Sequence, residues 1–154
     1  MQLDARAVLY AIISVGALLA AESAGNETYA DTAGALALTL VVLWLAHAYS
    51  EFTAQRLAEK KPLSFDALAR ALVRELMNVA VAAIPLLALL ICWVAKVPLA
   101  SAVTAALWTA AAMIVTVEVV AGVRAELSAG ALVAQTAVGA LFGLLMIALK
   151  LILH

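Results

Sequence analysis

The chain has 154 residues, of which 68% are hydrophobic and 12% are charged, and its formal net charge is −1. Its mean hydropathy is +1.13. This composition excludes an ordinary water-soluble domain, because too few polar residues are present to cover an apolar core of this size. It also argues against a nucleic-acid partner, since no cluster of Lys and Arg has aromatic residues interleaved with it.

Five apolar stretches follow one another along the chain, and each can form a membrane-spanning helix. A hydrocarbon core about 30 Å thick takes ~20 helical residues to cross. The apolar runs are continuous and do not alternate with a period of two, which favours helices over a β-barrel. We predict an all-α, single-domain membrane protein with five transmembrane helices, over residues 8–21, 33–57, 66–97, 99–124 and 129–153.

Basic residues are distributed unequally between the two sides that five crossings define. The first connection, Glu22–Thr32, contains three acidic residues and no Lys or Arg. Seven of the nine basic residues fall on the other side, namely Arg6, Arg56, Lys60, Lys61, Arg70, Arg74 and Arg124. Because basic loops stay cytoplasmic, we predict a cytoplasmic N-terminus and an external C-terminus. The Ala- and Leu-rich composition indicates a bacterial protein of the plasma membrane.

The segment between the second and third crossings carries its own local signals. Pro62 is expected to end the second helix, and Ser64 is a candidate N-cap for the next one. In the stretch FDALARALVREL, apolar and basic residues fall on different helical faces, which predicts an amphipathic helix at the inner interface. Pro85 lies inside the third crossing and predicts a kink there.

Several polar or ionisable residues lie inside or beside the predicted helices, near the cytoplasmic half. A charge at the bilayer centre costs roughly 2.5–3.5 kcal/mol on insertion scales, so each of these residues needs a reason to be there. His47 and Glu51 are four residues apart and share one helix face. Glu118 is the carboxylate set deepest in an apolar run. The other members of the set are Tyr49, Arg74, Glu75, Asn78 and Arg124.

Two interpretations of this set are open. In the first, an inner polar vestibule admits a cation or a proton, because a carboxyl group in low dielectric can exchange a proton and His titrates near neutral pH. The vestibule would be lined by His47, Tyr49, Glu51, Asn78 and Glu118. Three of these, His47, Glu51 and Glu118, would also suit a divalent transition metal. In the second interpretation the residues only brace the helices, and the ion-pair candidates are Arg74, Glu75 and Arg124.

These interpretations correspond to two function classes. The first is a small cation transporter or channel, for a divalent metal or coupled to protons. The second is a non-transporting membrane scaffold or accessory subunit. The sequence contains no Walker loop, no GxSxG and no HExxH, so we predict neither an enzyme nor a cofactor. Gly139 and Gly143 form a GxxxG in the last crossing, which allows close helix packing either within the chain or in a homodimer.

Three short segments resemble the vacuolar iron transporter family. Ala48–Arg56, reading AYSEFTAQR, is similar to the family's EYVSVSSQR at the end of helix two. Ala83–Leu89, reading AIPLLAL, is similar to its ALIPLLP segment in helix three. Gly122–Ser128, reading GVRAELS, is similar to its GxxxARLS stretch after helix four, and Gly139 fits a recurring glycine of the last helix.

This resemblance implies a five-helix fold, a homodimer and transport of iron or manganese. The family's metal-ligand motifs do not occur here. Its first helix carries an Asp-Gly that 8–21 lacks, and its Glu and Met in helix two correspond to Ala48 and Trp44. If metal is transported, His47 and Glu51 would therefore act as replacement ligands.

Overall fold

The computed structural model describes residues 4–21, 28–60 and 64–153. All the regular secondary structure in these ranges is helical. The helices are α1 (Ala5–Ala21), α2 (Tyr29–Glu59), α3 (Phe65–Ala82), α4 (Ile84–Val94), α5 (Leu99–Arg124) and α6 (Ala129–Leu153). The predicted all-α class is confirmed. Three helices, α2, α5 and α6, are long and apolar enough to cross a membrane, and the bent pair α3–α4 raises the number to four.

Helix α1 is shorter than α2, α5 and α6, and it is the helix most enclosed by protein. It packs against α2, α3, α5 and α6. Along its length Val8, Ile12, Val15 and Leu19 are at most 1% exposed. At 1.5 Å per residue its 17 residues extend ~26 Å, slightly less than a hydrocarbon core. Because its surroundings are mostly protein, its stability depends on packing more than on a long apolar run.

The start of α2 lies earlier than the sequence predicted. Thr28 is the N-cap, and its hydroxyl accepts a hydrogen bond from the Asp31 N–H at 3.3 Å. The Asp31 carboxylate accepts one in return from the Thr28 N–H at 3.1 Å, which completes a capping box. The helix therefore takes in Tyr29–Thr32, which had been assigned to the acidic connection. It ends at Glu59, and the prediction that Pro62 ends it lies outside the described residues.

The predicted third helix, 66–97, is in fact two helices that meet at a bend of 50°. The chain leaves α3 at Ala82 and enters α4 at Ile84. Pro85 is the second residue of α4 and lacks the N–H that would continue the hydrogen-bond ladder, which explains the predicted kink. Ser64 occupies the N-cap position of α3 as predicted, but its side chain makes no capping hydrogen bond.

The two glycines of the GxxxG, Gly139 and Gly143, pack against another helix of the same chain. α5 packs against α1, α4 and α6. A Cβ at Gly143 would lie 2.9 Å from the Ala111 Cβ and 3.2 Å from the Ala111 Cα, both on α5. A Cβ at Gly139 would lie 2.9 Å from the Glu118 Cγ. The glycines thus allow α5 and α6 to approach closely, and this face is not available to a second copy of the chain.

Candidate functional site

An ion pair joins α2 to α3 on the part of their surface that is half exposed. Arg74 Nη2 lies 3.1 Å from Glu51 Oε1, and the two side chains are 46% and 45% exposed. The Gln55 Nε2 donates a second hydrogen bond to the same carboxylate oxygen at 2.6 Å. Arg74 therefore has the ion-pair role that the sequence predicted for it, with Glu51 as its partner. The Glu51 carboxylate is therefore directed toward α3, where it is engaged by Arg74.

A second polar contact between the same helices lies nearer the middle of α2. The Trp44 Nε1–H donates to the backbone carbonyl of Leu72 at 2.8 Å. Four residues further along α2, Ala48 is fully buried, and Phe52 is 6% exposed. This face of α2 is thus packed against the bundle, and the indole N–H makes a hydrogen bond within an otherwise apolar interface.

Replacing Trp44 by phenylalanine should lower the free energy of unfolding by ~1 kcal/mol. The change keeps an aromatic ring but removes the hydrogen bond to the Leu72 carbonyl, which typically contributes about 0.5–1.5 kcal/mol. Unfolding in detergent micelles, followed by circular dichroism, measures it. The matched control is Trp108→Phe, because Trp108 is 55% exposed and exposed substitutions usually stay within ~0.5 kcal/mol. Equal effects of the two changes would contradict a structural role for the indole N–H.

A pair of buried polar side chains on α3, Glu75 and Asn78, connects this helix to the start of α1. Glu75 is 7% exposed and Asn78 is 5% exposed. The Asn78 Nδ2 donates to the Glu75 Oε2 at 2.8 Å, and the Asn78 Oδ1 accepts from the Asp4 N–H at 3.1 Å. Both ends of the amide are thus used, and one orphan donor at the N-terminal end of α1 is satisfied. Glu75 had been predicted as an ion-pair candidate, and its neighbour here is the amide of Asn78.

Glu118 faces α6, where it binds an amide and not a cation. The Gln135 Nε2 donates to the Glu118 Oε2 and also lies 3.3 Å from the Glu118 carbonyl oxygen. Gly139, one turn beyond Gln135, leaves the space that the Glu118 side chain occupies. The sequence analysis identified Glu118 as the deepest carboxylate and offered Arg74 and Arg124 as basic ion-pair candidates, but it did not identify Gln135 as the partner of Glu118.

His47 and Tyr49 are placed differently from each other. His47 Nδ1 lies 3.0 Å from the carbonyl oxygen of Leu43 in its own helix, and its ring meets the ring of Tyr10 edge to face, with centroids 5.4 Å apart. Tyr49 is 64% exposed and points away from the packed side of α2. The imidazole therefore packs beside α1, and Tyr49 does not line an interior space with it.

The predicted vestibule residues are thus divided among separate helix pairs. Glu51 contacts α3, Asn78 contacts the start of α1, and Glu118 contacts α6. Within the described parts of the chain, no three or more His, Cys, Asp and Glu side chains are grouped so that they would hold a metal ion. The predicted ligands His47, Glu51 and Glu118 are all among these residues, and they do not form one cluster.

Arg124 lies at the edge of a cavity of about 730 Å³. The walls come from the start of α1, from both sides of the α3–α4 bend and from the C-terminal half of α5. They include Ala5, Val8, Val81, Ile84, Thr116 and Arg124. Most of the lining is apolar, and the Thr116 hydroxyl donates to the Ala112 carbonyl of its own helix at 2.9 Å. The one guanidinium on this lining comes from Arg124, which had been predicted to form an ion pair.

No family model, no curated protein and no solved structure matches this chain. The resemblance to vacuolar iron transporters therefore stays a prediction that depends on the three segments quoted above.

Proposed function

We propose that this chain is a non-transporting membrane scaffold or accessory subunit whose polar residues hold its helices together. One observation carries the proposal: three polar side chains each make a hydrogen bond across a helix interface. Trp44 ties α2 to α3, Asn78 ties α3 to α1, and Gln135 ties α6 to α5. In a bilayer, where helices gain little from burying apolar side chains against one another, such interhelical hydrogen bonds supply part of the association.

The same arrangement is unfavourable for an ion path. A path lined by several helices requires polar groups that converge on one shared space. Glu51 and Glu118 instead contact α3 and α6 respectively. The large cavity beside α5 has a mostly apolar lining, which offers few groups to replace the hydration shell of a cation.

The alternative is a cation or proton transporter, and one feature of Glu118 favours it. Its partner Gln135 is a neutral amide, which can bind a carboxylate or a carboxylic acid but does not cancel its charge. The two proposals make opposite predictions for ion flux.

A bracing role predicts that Glu118 and Gln135 are energetically coupled. We expect Glu118→Ala and Gln135→Ala each to destabilise the fold. The loss of stability in the double variant should be smaller than the sum of the two single losses by ~1.5–3 kcal/mol, which is the usual range for a hydrogen bond to a charged group. Unfolding of all four proteins in mixed micelles gives this coupling energy. As the control cycle we choose Glu118→Ala with Gln55→Ala, since Gln55 bonds Glu51 and lies on α2. Additive effects within about 0.5 kcal/mol in both cycles would contradict bracing by this pair.

The proposal includes the predicted orientation in a bacterial plasma membrane. A reporter that is active only in the cytoplasm, fused after His154, should be silent, because five crossings from a cytoplasmic N-terminus leave the C-terminus outside. The same reporter inserted after Lys60 should be active, since this residue follows α2 on the basic side. Activity at His154 would mean an even number of crossings. Such a result would remove α1 or the bent pair α3–α4 from the set of spanning segments.

The predicted homodimer remains part of the proposal, with a changed interface. Gly139 and Gly143 are covered by α5 of the same chain. The outer face of α6 carries large exposed apolar residues, including Val133, Leu141 and Leu145. A second copy would have to use a surface of this kind.

A further inference from the structure

The cavity beside α5 lies at the bend between α3 and α4. After the bend α4 packs against α5, whereas α3 packs against α1 and α2. Val81 and Ile84, which flank the bend, both line the cavity, and Val8 of α1 lines it as well. The result is an apolar groove between α1, the bend and α5. Its volume of about 730 Å³ lies within the usual range of ligand sites, ~300–1,000 Å³.

The groove has one charged end and one apolar end. Along α5 its lining runs from Met113 to Arg124. Eleven helical steps of 1.5 Å make ~16 Å, about half the thickness of a hydrocarbon core and so about the depth of one leaflet. Arg124 is the only charged residue among the described residues that line the groove. The acidic residue just before α1, Asp4, is paired with Arg6: it accepts a hydrogen bond from the Arg6 N–H at 2.9 Å and lies 3.8 Å from the Arg6 Nε.

We propose that this groove binds one acyl chain of an anionic phospholipid, whose phosphate contacts Arg124. An apolar groove about one leaflet deep matches the length and the apolar character of a lipid acyl chain. Lipid would surround the groove in a membrane-embedded protein. A guanidinium binds phosphate through two parallel hydrogen bonds. Basic pockets between membrane helices are known to hold anionic headgroups in this way. The inference goes beyond the scaffold role and holds whether or not the protein transports anything.

Native mass spectrometry of the full chain in a mild detergent tests the proposal. With added phosphatidylglycerol we expect one lipid to be retained, and with phosphatidylcholine markedly less. Arg124→Gln should weaken retention of phosphatidylglycerol about fivefold and should leave retention of phosphatidylcholine unchanged. The fivefold factor corresponds to the ~1 kcal/mol that a basic residue contributes at an anionic membrane surface. Ala121→Phe places a ring in the groove and should abolish retention of both lipids.

Two controls match these variants. Arg70→Gln removes an equal charge from α3, where Arg70 is exposed, and Ala137→Phe adds an equal ring to an exposed position of α6. Neither should change lipid retention. Circular dichroism establishes which variants fold, and if Ala121→Phe does not, Arg124→Gln still gives the headgroup preference. Retention equal in Arg124→Gln and Arg70→Gln would overturn the proposal. The proposal would also be overturned if inorganic phosphate alone bound with the same affinity as phosphatidylglycerol and if Ala121→Phe left this binding intact. The acyl chain would then contribute nothing to the affinity.

Discussion

Replacing Gly143 by leucine is expected to destabilise the protein by ~3 kcal/mol. A Cβ at this position would lie 2.9 Å from the Ala111 Cβ and 3.2 Å from the Ala111 Cα, so a side chain can be added only if α5 and α6 move apart. Overpacking typically costs about 1–3 kcal/mol, and a contact with backbone falls at the upper end of this range because it cannot be relieved by rotating a side chain. Unfolding by a denaturing detergent in mixed micelles measures the loss.

Gly34 provides the matched control, since it also lies inside a helix and a Cβ there would meet nothing within 4 Å. Gly34→Leu should be neutral or slightly stabilising, because glycine in a helix interior costs ~0.5–1 kcal/mol relative to alanine. If the two leucines had equal effects, the close α5–α6 contact would be absent. If Gly143→Leu changed the mass of the complex in detergent without changing the stability of the chain, this face would lie between copies of the protein and not within one.

The second large effect is expected from Asn78→Leu, which should cost ~3 kcal/mol. The change removes the donor to the Glu75 Oε2 and the acceptor for the Asp4 N–H. Glu75 is only 7% exposed, so its carboxylate would be left buried and without this partner. An unsatisfied buried polar group costs about 1–3 kcal/mol, and more when it is charged. Thermal and detergent unfolding should both report the loss.

The double variant Glu75→Leu with Asn78→Leu distinguishes this mechanism from simple loss of packing. Removing both partners leaves the Asp4 N–H as the only group of the network without its partner, so the double variant should be more stable than Asn78→Leu alone. Arg70→Gln on the same helix, at an exposed position, should change the stability by less than ~0.5 kcal/mol. A double variant less stable than Asn78→Leu would contradict the assignment of the cost to a stranded carboxylate.

The helices that were predicted most closely are those with the simplest physical cause. The bounds 99–124 and 129–153 coincide with α5 and α6, because long apolar runs there are separated by one short polar segment. The kink at Pro85 follows from a missing N–H and needs no tertiary information. The start of α2 was placed four residues late, since the apolar run begins after the capping box. That box has a local signature in Thr28 and Asp31, and this signature would have located it.

The polar contacts depended on information that spacing does not contain. His47 and Glu51 share one face of α2, yet the partner of Glu51 is on α3 and the ring beside His47 is on α1. Glu118 meets Gln135, which lies 17 residues further along the chain. That pairing depends on the register of the α5–α6 hairpin, which the turn sets. Glu126 in this turn has a φ of 53°, in the left-handed region, and no motif in the sequence marks it.

Ion flux is the most direct test of the claim that these polar residues brace helices and do not carry ions. The full chain is reconstituted in liposomes, and uptake is followed over a panel of divalent cations, with and without a proton gradient. We predict no flux above that of protein-free liposomes under any of these conditions. A saturable flux that Glu118→Gln abolishes, while circular dichroism shows the fold to be retained, would contradict the proposed function and favour a proton-coupled cation transporter.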